Sequence, residues 1–423
     1  MLNRKRRLPA AGVLVAAGAL VLAGCGSSSD DSSSTSSGDP VTLTLWHGYT
    51  EADGDVLQEI VDEFNDSQDE WQVDAEAMAW DSITEKLLTS LGAGNGPNIV
   101  VNGLDTGLGY VEQGAFLSVQ ELYDNDEYTS TDYLYDTLVD QVTWDGEAYG
   151  APMGTAAYSI WYNTDLWAAA GLTEADYPTT IDELIDVAKT LTVDADGDGT
   201  PESYGIALPD EDAGTLAAIL HSGGGDYITD GVADLDSEEN IATLEQWQSA
   251  FVDDQISPTS MDSTAAMELF GSGRAAMILN GPWEITSAAS YGIDIGVMQW
   301  PSDWVQGVAN YWYATSMNDT DEEMAGTLAF MDYWNQHDSQ VTWTGSYYPP
   351  NRTDITADEF SDDLVATISG FSDQAHYYAT GVSSNASDIT AETDAMTTQI
   401  MQGGDIPTLL TETQAKVESY LGG

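Results

Sequence analysis

The chain alternates between two hydrophobic periods. Residues 41–46 (VTLTLW) put apolar side chains at every other position and read as a strand. Val56, Leu57, Ile60, Val61 and Phe64 then recur at helical spacing. Residues 71–78 (WQVDAEAM) place Trp71, Val73, Ala75 and Ala77 on alternate positions, which predicts a second strand. Ile83, Leu87, Leu88 and Leu91 predict a second helix, stopped by Gly92-Ala93-Gly94. Residues 98–101 (NIVV) predict a third strand. Strand, helix, strand, helix, strand implies a mainly parallel sheet with helices on its faces.

The alternation returns further on. Ile181, Leu184, Ile185 and Ala188 form a helical stripe, 204–209 (YGIALP) reads as a strand, 216–220 opens a helix, and 275–279 (AAMIL) reads as a buried strand. The expected fold class is therefore α/β in two lobes, and 423 residues exceed a comfortable single core. No fixed-period repeat runs through the chain.

Ligands of open α/β sheets bind beyond the carboxyl ends of the strands. That rule selects Trp46-His47-Gly48-Tyr49, Trp80-Asp81, Asn102-Gly103-Leu104-Asp105 and Asn280-Gly281-Pro282-Trp283. Indole rings beside Asp, Asn or His suit a sugar: the ring stacks on the C–H face of the pyranose and the polar groups take its hydroxyls. Each residue also has a structural reading. Trp46 and Trp80 fit as core plugs, and His47 fits a backbone hydrogen bond. Asp105 fits a cap on the helix after it. Trp283 fits packing against its own helix.

The beginning of the chain differs from the rest. Arg4, Lys5, Arg6 and Arg7 precede an apolar, small-residue run, the layout of a secretory signal whose core is too short for a membrane span. The run ends Leu22-Ala23-Gly24-Cys25, which resembles the lipobox of bacterial lipoproteins. The resemblance implies lipidation at Cys25 and anchoring on the outer face of a bacterial cell membrane; two or more acyl chains meet the two-signal rule for stable anchoring. With a single cysteine, an internal disulfide is excluded. Residues 25–40 are rich in Ser, Gly and Asp and read as a tether.

All 72 acidic residues lie beyond Cys25, where only Lys86, Lys189, Arg274, Arg352 and Lys416 are basic. The whole-chain charge of -63 excludes nucleic acid as a partner, because phosphate binding needs a basic footprint. The acids are spread along the chain, a pattern that points to solvent and to a cation-rich habitat that screens self-repulsion. One acidic stretch stands out. Residues 194–202 (DADGDGTPE) space Asp194, Asp196 and Asp198 as in the front half of an EF-hand loop, with the Thr200 carbonyl as a further ligand. Gly205 stands where the twelfth-position glutamate belongs, so Glu202 or a distant acid would have to complete a Ca²⁺ shell. The alternative is a plain Asx-turn loop.

Five motifs in order carry a family resemblance: LTLWHG (43–48), GPNIVVNGLDTGLGYVEQGAFLSVQEL (96–122), WDGEAYGAPMGTAAYSIWYNTDLWAAAGL (144–172), YPTTIDELIDVAKTL (177–191) and FGSGRAAMILNGPWEI (270–285). Together they resemble the maltose-binding-like family of extracellular solute-binding proteins, receptors of carbohydrate ABC importers. The resemblance implies a periplasmic-binding-protein-like fold, with hinge strands joining two α/β lobes and the ligand cleft between them. The implied N-terminal lobe is 41–152 with 303–334. The implied C-terminal lobe is 153–302 with 335–423, after a signal peptide at 1–24.

The resemblance also implies a non-enzymatic monomer that binds a mono- or oligosaccharide, meets ABC permease subunits and requires no cofactor. Trp283 matches the family's sugar-stacking tryptophan, and Asp105 matches an aspartate on sugar hydroxyls. Asn102 and Ala156 fall where the maltose receptor has a tryptophan and an acid, so the sugar class is implied and maltose is not. Trp312, Tyr347 and Tyr348 lie in segments that often reach the cleft, and Tyr49 and Asp81 complete the candidate set. Two rival readings are the same fold holding a polyamine, whose charge the acids attract, and a secreted glycoside hydrolase working with two carboxylates.

Overall fold

A computed structural model describes residues 40–50, 52–229, 231–360, 362–372, 375–377 and 385–421, with backbone only at 81, 104–106, 108 and 377. The signal, Cys25 and the tether lie outside the described residues. The strands that position the site are, in chain order, β1 (Val41–His47), β2 (Trp71–Ala77), β3 (Ile99–Gly103), β4 (Gly150–Ala157), β5 (Ser159–Asn163), β6 (Tyr204–Ala207), β7 (Ala275–Asn280), β8 (Ile295–Gln299), β9 (Val305–Ala314) and β10 (Ala375–Tyr377). The helices that cover them are α1 (Ala52–Ser67), α2 (Trp80–Ala93), α3 (Leu104–Glu112), α4 (Ile181–Leu191), α5 (Ala213–Ser222), α6 (Glu238–Val252), α7 (Ser263–Gly271), α8 (Glu284–Tyr291), α9 (Asp321–Trp334), α10 (His337–Trp343), α11 (Asp363–Ser372), α12 (Ala386–Met401) and α13 (Ile406–Leu421).

Two separate sheets give the α/β, two-lobe architecture. The first has the order β10-β9-β3-β1-β2, with β4 also paired to β9; the second has the order β8-β5-β7-β6. β1 runs parallel to β2 and β3, as the alternation of strand and helix predicts. The second sheet departs from a parallel sheet, because β5 lies antiparallel to both β7 and β8. The cause is connectivity. β4 leads into β5 through Tyr158 alone, so β5 arrives with no crossover helix before it. The antiparallel pairs of β9 with β3 and β4 belong to the same crossing region.

Period-two patterning assigns each sheet two apolar faces. On the first sheet Leu43, Leu45, Ile99, Val101, Trp312 and Ala314 face one core, while Trp46, Val100, Tyr311 and Tyr313 face another. On the second, Ile160, Tyr162, Met277 and Leu279 oppose Trp161 and Ile278. The helices meet these faces through the expected stripes. Leu57, Ile60, Val61 and Phe64 of α1 are buried, as are Leu184, Ile185 and Ala188 of α4. Each such side chain contributes about 1.5–3 kcal/mol of transfer free energy. α2 ends at Gly94, whose left-handed backbone (φ 71°) suits glycine and carries the cap bond to Leu91.

After Trp334 the chain was expected to enter the second lobe. It first stays with the first: α10 packs on α1, and Trp343 and Tyr348 join the core of Leu43 and Leu57. The reason is aromatic packing, since the fully buried Trp343 ring lies 5.1 Å from the Trp334 ring. α12 and α13 then cover α5 and α6 beside the second sheet. No helix among the described residues is long and apolar enough to cross a membrane.

Candidate functional site

The turn after β7 is built to hold one ring. Asn280 closes it in three directions. Its Oδ1 accepts from Gly281 N (2.9 Å), its Nδ2 donates to Glu284 Oε2 (2.7 Å), and its carbonyl accepts from Trp161 Nε1 (3.0 Å). The Trp283 indole folds back over Gly281, where an added Cβ would meet ring atoms and displace the indole. Trp283 is half-buried, touches the core of the first sheet, and stands at the N-cap position of α8.

The first sheet repeats the arrangement. Gly48 follows β1, and the Trp80 ring at the start of α2 covers it, 2.1 Å from where a Cβ would be. Trp80 is 40% exposed, so the core-plug reading fails for it. The reading holds for Trp46, which is buried with Nε1 donating to Glu76 Oε2 at 2.9 Å.

Aromatic contacts join the two tryptophans. Trp283 meets Tyr158 edge-on at 6.0 Å and Tyr348 at 6.3 Å. Tyr348 meets Tyr49 edge-on at 6.0 Å, and Tyr49 meets Trp80 edge-on at 5.3 Å. Trp343 backs Tyr49 and Tyr348. Such contacts hold rings in fixed mutual orientations. Asn310 Nδ2 donates to the Tyr49 hydroxyl at 2.9 Å, and burial pushes that phenol far above its ordinary range, so it stays neutral. His47 is buried beside Tyr49, and desolvation lowers its pKa to about 4 against a backbone hydrogen bond with Tyr49.

The other expected residues fall as follows. Asn102 is half-buried at the end of β3, with Oδ1 accepting from Gly103 N (2.8 Å). The N-cap of α3 is Gly103, and the side chains of Asp81 and Asp105 lie outside the described residues. Trp312 does not join the rings around Trp283. It is fully buried deeper in the same core as Trp343 and Tyr348, edge-on to Phe330 and Trp334. Tyr347, in a left-handed conformation (φ 69°), turns to the core behind the second sheet, while its neighbour Tyr348 joins the cluster. Tyr158 and Trp343 were missed by the sequence reading. Tyr158 had one usable signal, its position between two apolar strands.

The electrostatics are one-sided. None of the five basic side chains beyond Cys25 belongs to the cluster. Lys189 pairs with Asp186 and Asp254, Lys416 with Glu392, and the buried Arg352 with Asp354. Arg274 precedes β7, at the end opposite Trp283, and Lys86 is exposed on α2. Glu284, fully buried beneath Trp283, has its carboxyl pushed up to about 7 by desolvation, against hydrogen bonds from Asn280 and Ser287.

Residues 59–368 match the family described as bacterial extracellular solute-binding protein. The chain belongs to that family. Among the relatives of this solute-binding protein, a putative binding protein of Brucella abortus is 25% identical over 56% of each chain. A diacetylchitobiose-binding protein of Streptomyces coelicolor is 25% identical over 67% of this chain and 65% of its own. A Brucella melitensis sn-glycerol-3-phosphate-binding periplasmic protein is 23% identical over 71% and 72%. The matched stretch thus spans little more than half of the Brucella abortus relative.

Among solved structures, a solute-binding protein of an ABC transporter from Thermotoga lettingae, bound with alpha-D-tagatose, has a TM-score of 0.76 at 22% identity. It covers 90% of this chain and 100% of that one. The GacH receptor of Streptomyces glaucescens, described in unliganded form and with acarbose, has a TM-score of 0.77 at 17% identity, covering 90% and 99%. At these identities the likeness shows the fold.

Away from the aromatic cluster, the acidic loop brings carboxylate oxygens of Asp194, Asp196 and Glu202 within 4.8 Å of one another, all exposed. Asp194 accepts from Gly197 N and Gly199 N, Asp196 from Asp198 N, and Glu202 from Ala195 N. Asp198 is outside the triplet and accepts from Thr200 N (2.9 Å). The chemistry of three close carboxylates fits a hard cation.

Proposed function

We propose that this solute-binding protein captures an uncharged mono- or oligosaccharide outside the cell and delivers it to the permease of an ABC importer. The observation that carries the reading is the run of rings Trp283–Tyr348–Tyr49–Trp80, which links the carboxyl ends of two sheets and includes no basic side chain. Apolar rings take the C–H face of a pyranose, and the neutral Tyr49 hydroxyl and Asn310 offer hydrogen bonds to its hydroxyls. Relatives named for diacetylchitobiose, and neighbours solved with tagatose or acarbose, support sugar as the class. A phosphate-bearing solute, as in the name of the glycerol-3-phosphate relative, lacks a cationic partner here.

In this proposal the lobes are 41–152 with 303–334 and 153–302 with the later part of 335–423, the stretch through Tyr348 staying with the first, and the ligand supports the closed state through contacts made only there. Asp105, Asp81, Asn102 and His47 would supply polar contacts around the rings. Catalysis has no part in it. Lipidated Cys25 would tether a monomer to the outer face of the membrane, and Asp194, Asp196 and Glu202 would hold a structural Ca²⁺. A rise in melting temperature on adding calcium at modest salt is the expected sign of that ion.

The test of the reading is a titration of the purified protein with mono- and oligosaccharides, followed by tryptophan fluorescence. Saturable binding without product release is expected. Silence across the sugars with a response to spermidine would move the assignment to a polyamine, and sugar turnover would move it to a hydrolase.

A further inference from the structure

A groove of ≈ 1190 Å³ lies away from the aromatic cluster, and none of Trp283, Tyr158, Tyr49, Trp80 and Tyr348 lines it. Its walls are the segment entering α4, the carboxyl end of α5, residues of α11, and residues 297–304, which lead from β8 to β9. We propose that this groove is a second binding site, for a small uncharged polyhydroxylated molecule.

Two buried polar groups without partners line it. His221 is 4% exposed. Its Nε2 approaches Asp226 Oδ2 to 3.3 Å without hydrogen-bond geometry, and its Nδ1 has no hydrogen-bond partner among the described residues. Trp300 is 0% exposed, stacks on Trp247 at 5.8 Å, and has an Nε1–H without a partner. A buried polar atom left unpaired is costly, and a molecule bound in the groove that pairs with both would relieve that cost.

Their chemistry selects the ligand. The carboxylate of Asp226 favours the proton on His221 Nε2, which leaves Nδ1 as an acceptor. Trp300 Nε1–H is a donor only. A hydroxyl both donates and accepts, so an alcohol can satisfy either group. An ammonium, a donor only, would serve only His221. The charged side chains of the lining, Asp182 and Asp303, are both acidic, which disfavours an anion. Trp304 supplies an apolar surface: it is 41% exposed, with His376 stacked on it at 4.2 Å and His221 edge-on at 5.0 Å. A sugar-sized ring or a short polyol matches such a mixed wall.

The experiment uses the full chain carrying Trp283→Ala, which weakens the cluster's site, and the further change at Trp304, outside the cluster, separates the two sites. Calorimetric titration with glycerol, myo-inositol and glucose is expected to show saturable binding of at least one. Adding Trp304→Ala, an exposed position that leaves the fold intact, should weaken that binding by about tenfold. His221→Phe, which keeps a ring and removes both nitrogens, should weaken it further. If that variant does not fold, Trp304→Ala decides alone. Inorganic phosphate and spermidine should not bind or compete. No saturable binding of any of the three probes, an affinity indifferent to Trp304→Ala, or equal binding of phosphate would overturn the proposal.

Discussion

Trp80 and Trp283 are the same device built twice. Each ring lies on a glycine just past the carboxyl end of a parallel-paired strand, Gly48 after β1 and Gly281 after β7. The supports differ. Trp283 follows a turn fixed by Asn280, Glu284 and Trp161, and its ring has Tyr158 and Tyr348 as neighbours. Trp80 is 40% exposed at the start of α2, and Tyr49 is its one ring neighbour among the described residues. Half-buried and with two ring neighbours, Trp283 is the more firmly locked platform, and Trp80 is the more adjustable one. A locked platform loses little freedom on binding, so more of its contact energy appears as affinity.

The contrast can be broken in stages. Trp283→Ala should weaken sugar binding by about 1–3 kcal/mol, read by calorimetry, with the melting temperature little changed. Gly281→Ala leaves the indole in place chemically and displaces it sterically, and should still weaken binding by about tenfold. Equal affinity in that variant would mean that the ring position does not matter. Trp80→Ala should cost less, about 0.5–1 kcal/mol, because the adjustable ring gives up freedom when it binds. Equal losses at the two tryptophans would erase the distinction drawn between them.

The smallest effect concerns the lock itself. Glu284 has a folded pKa raised to about 7 from 4.5, so between those values the native state holds a proton that the unfolded state has released. Its contribution to stability is full below the unfolded value and falls as pH rises toward 7. Glu284→Gln keeps an acceptor for Asn280 and removes the titration. The melting temperature of the variant relative to the parent should therefore climb between about pH 4.5 and 7. A constant difference across that range would show that Glu284 is ionised throughout.

Much of this architecture is legible in the sequence. The stripes of α1 and α4 and the alternation of β1 translate directly into buried faces, and the strand-end rule leads to Gly48, Asn280 and Trp283. What stays hidden depends on partners far along the chain. Trp46 and Trp80 both belong to tryptophan-bearing strand ends, and Trp46 is a core residue because Glu76 on the neighbouring strand meets its indole N–H. Trp312 lies between Tyr311 and Tyr313 on a strand apolar on both faces, so alternation alone does not say which face meets a helix. Tyr347 and Tyr348 diverge through one left-handed backbone angle, which no composition signal marks. Trp343 reaches the rings through α10, whose place on α1 is a tertiary choice.

The central claim, that the rings around Trp283 form the sugar site, is tested most directly by fluorine resonances. Protein labelled with 5-fluorotryptophan, its signals assigned by single substitutions, would be titrated with the sugar that binds most tightly in the panel. The account predicts that the Trp283 resonance shifts furthest, Trp80 follows, and the core residues Trp312 and Trp247 stay in place. Saturable binding that leaves Trp283 unmoved would contradict it.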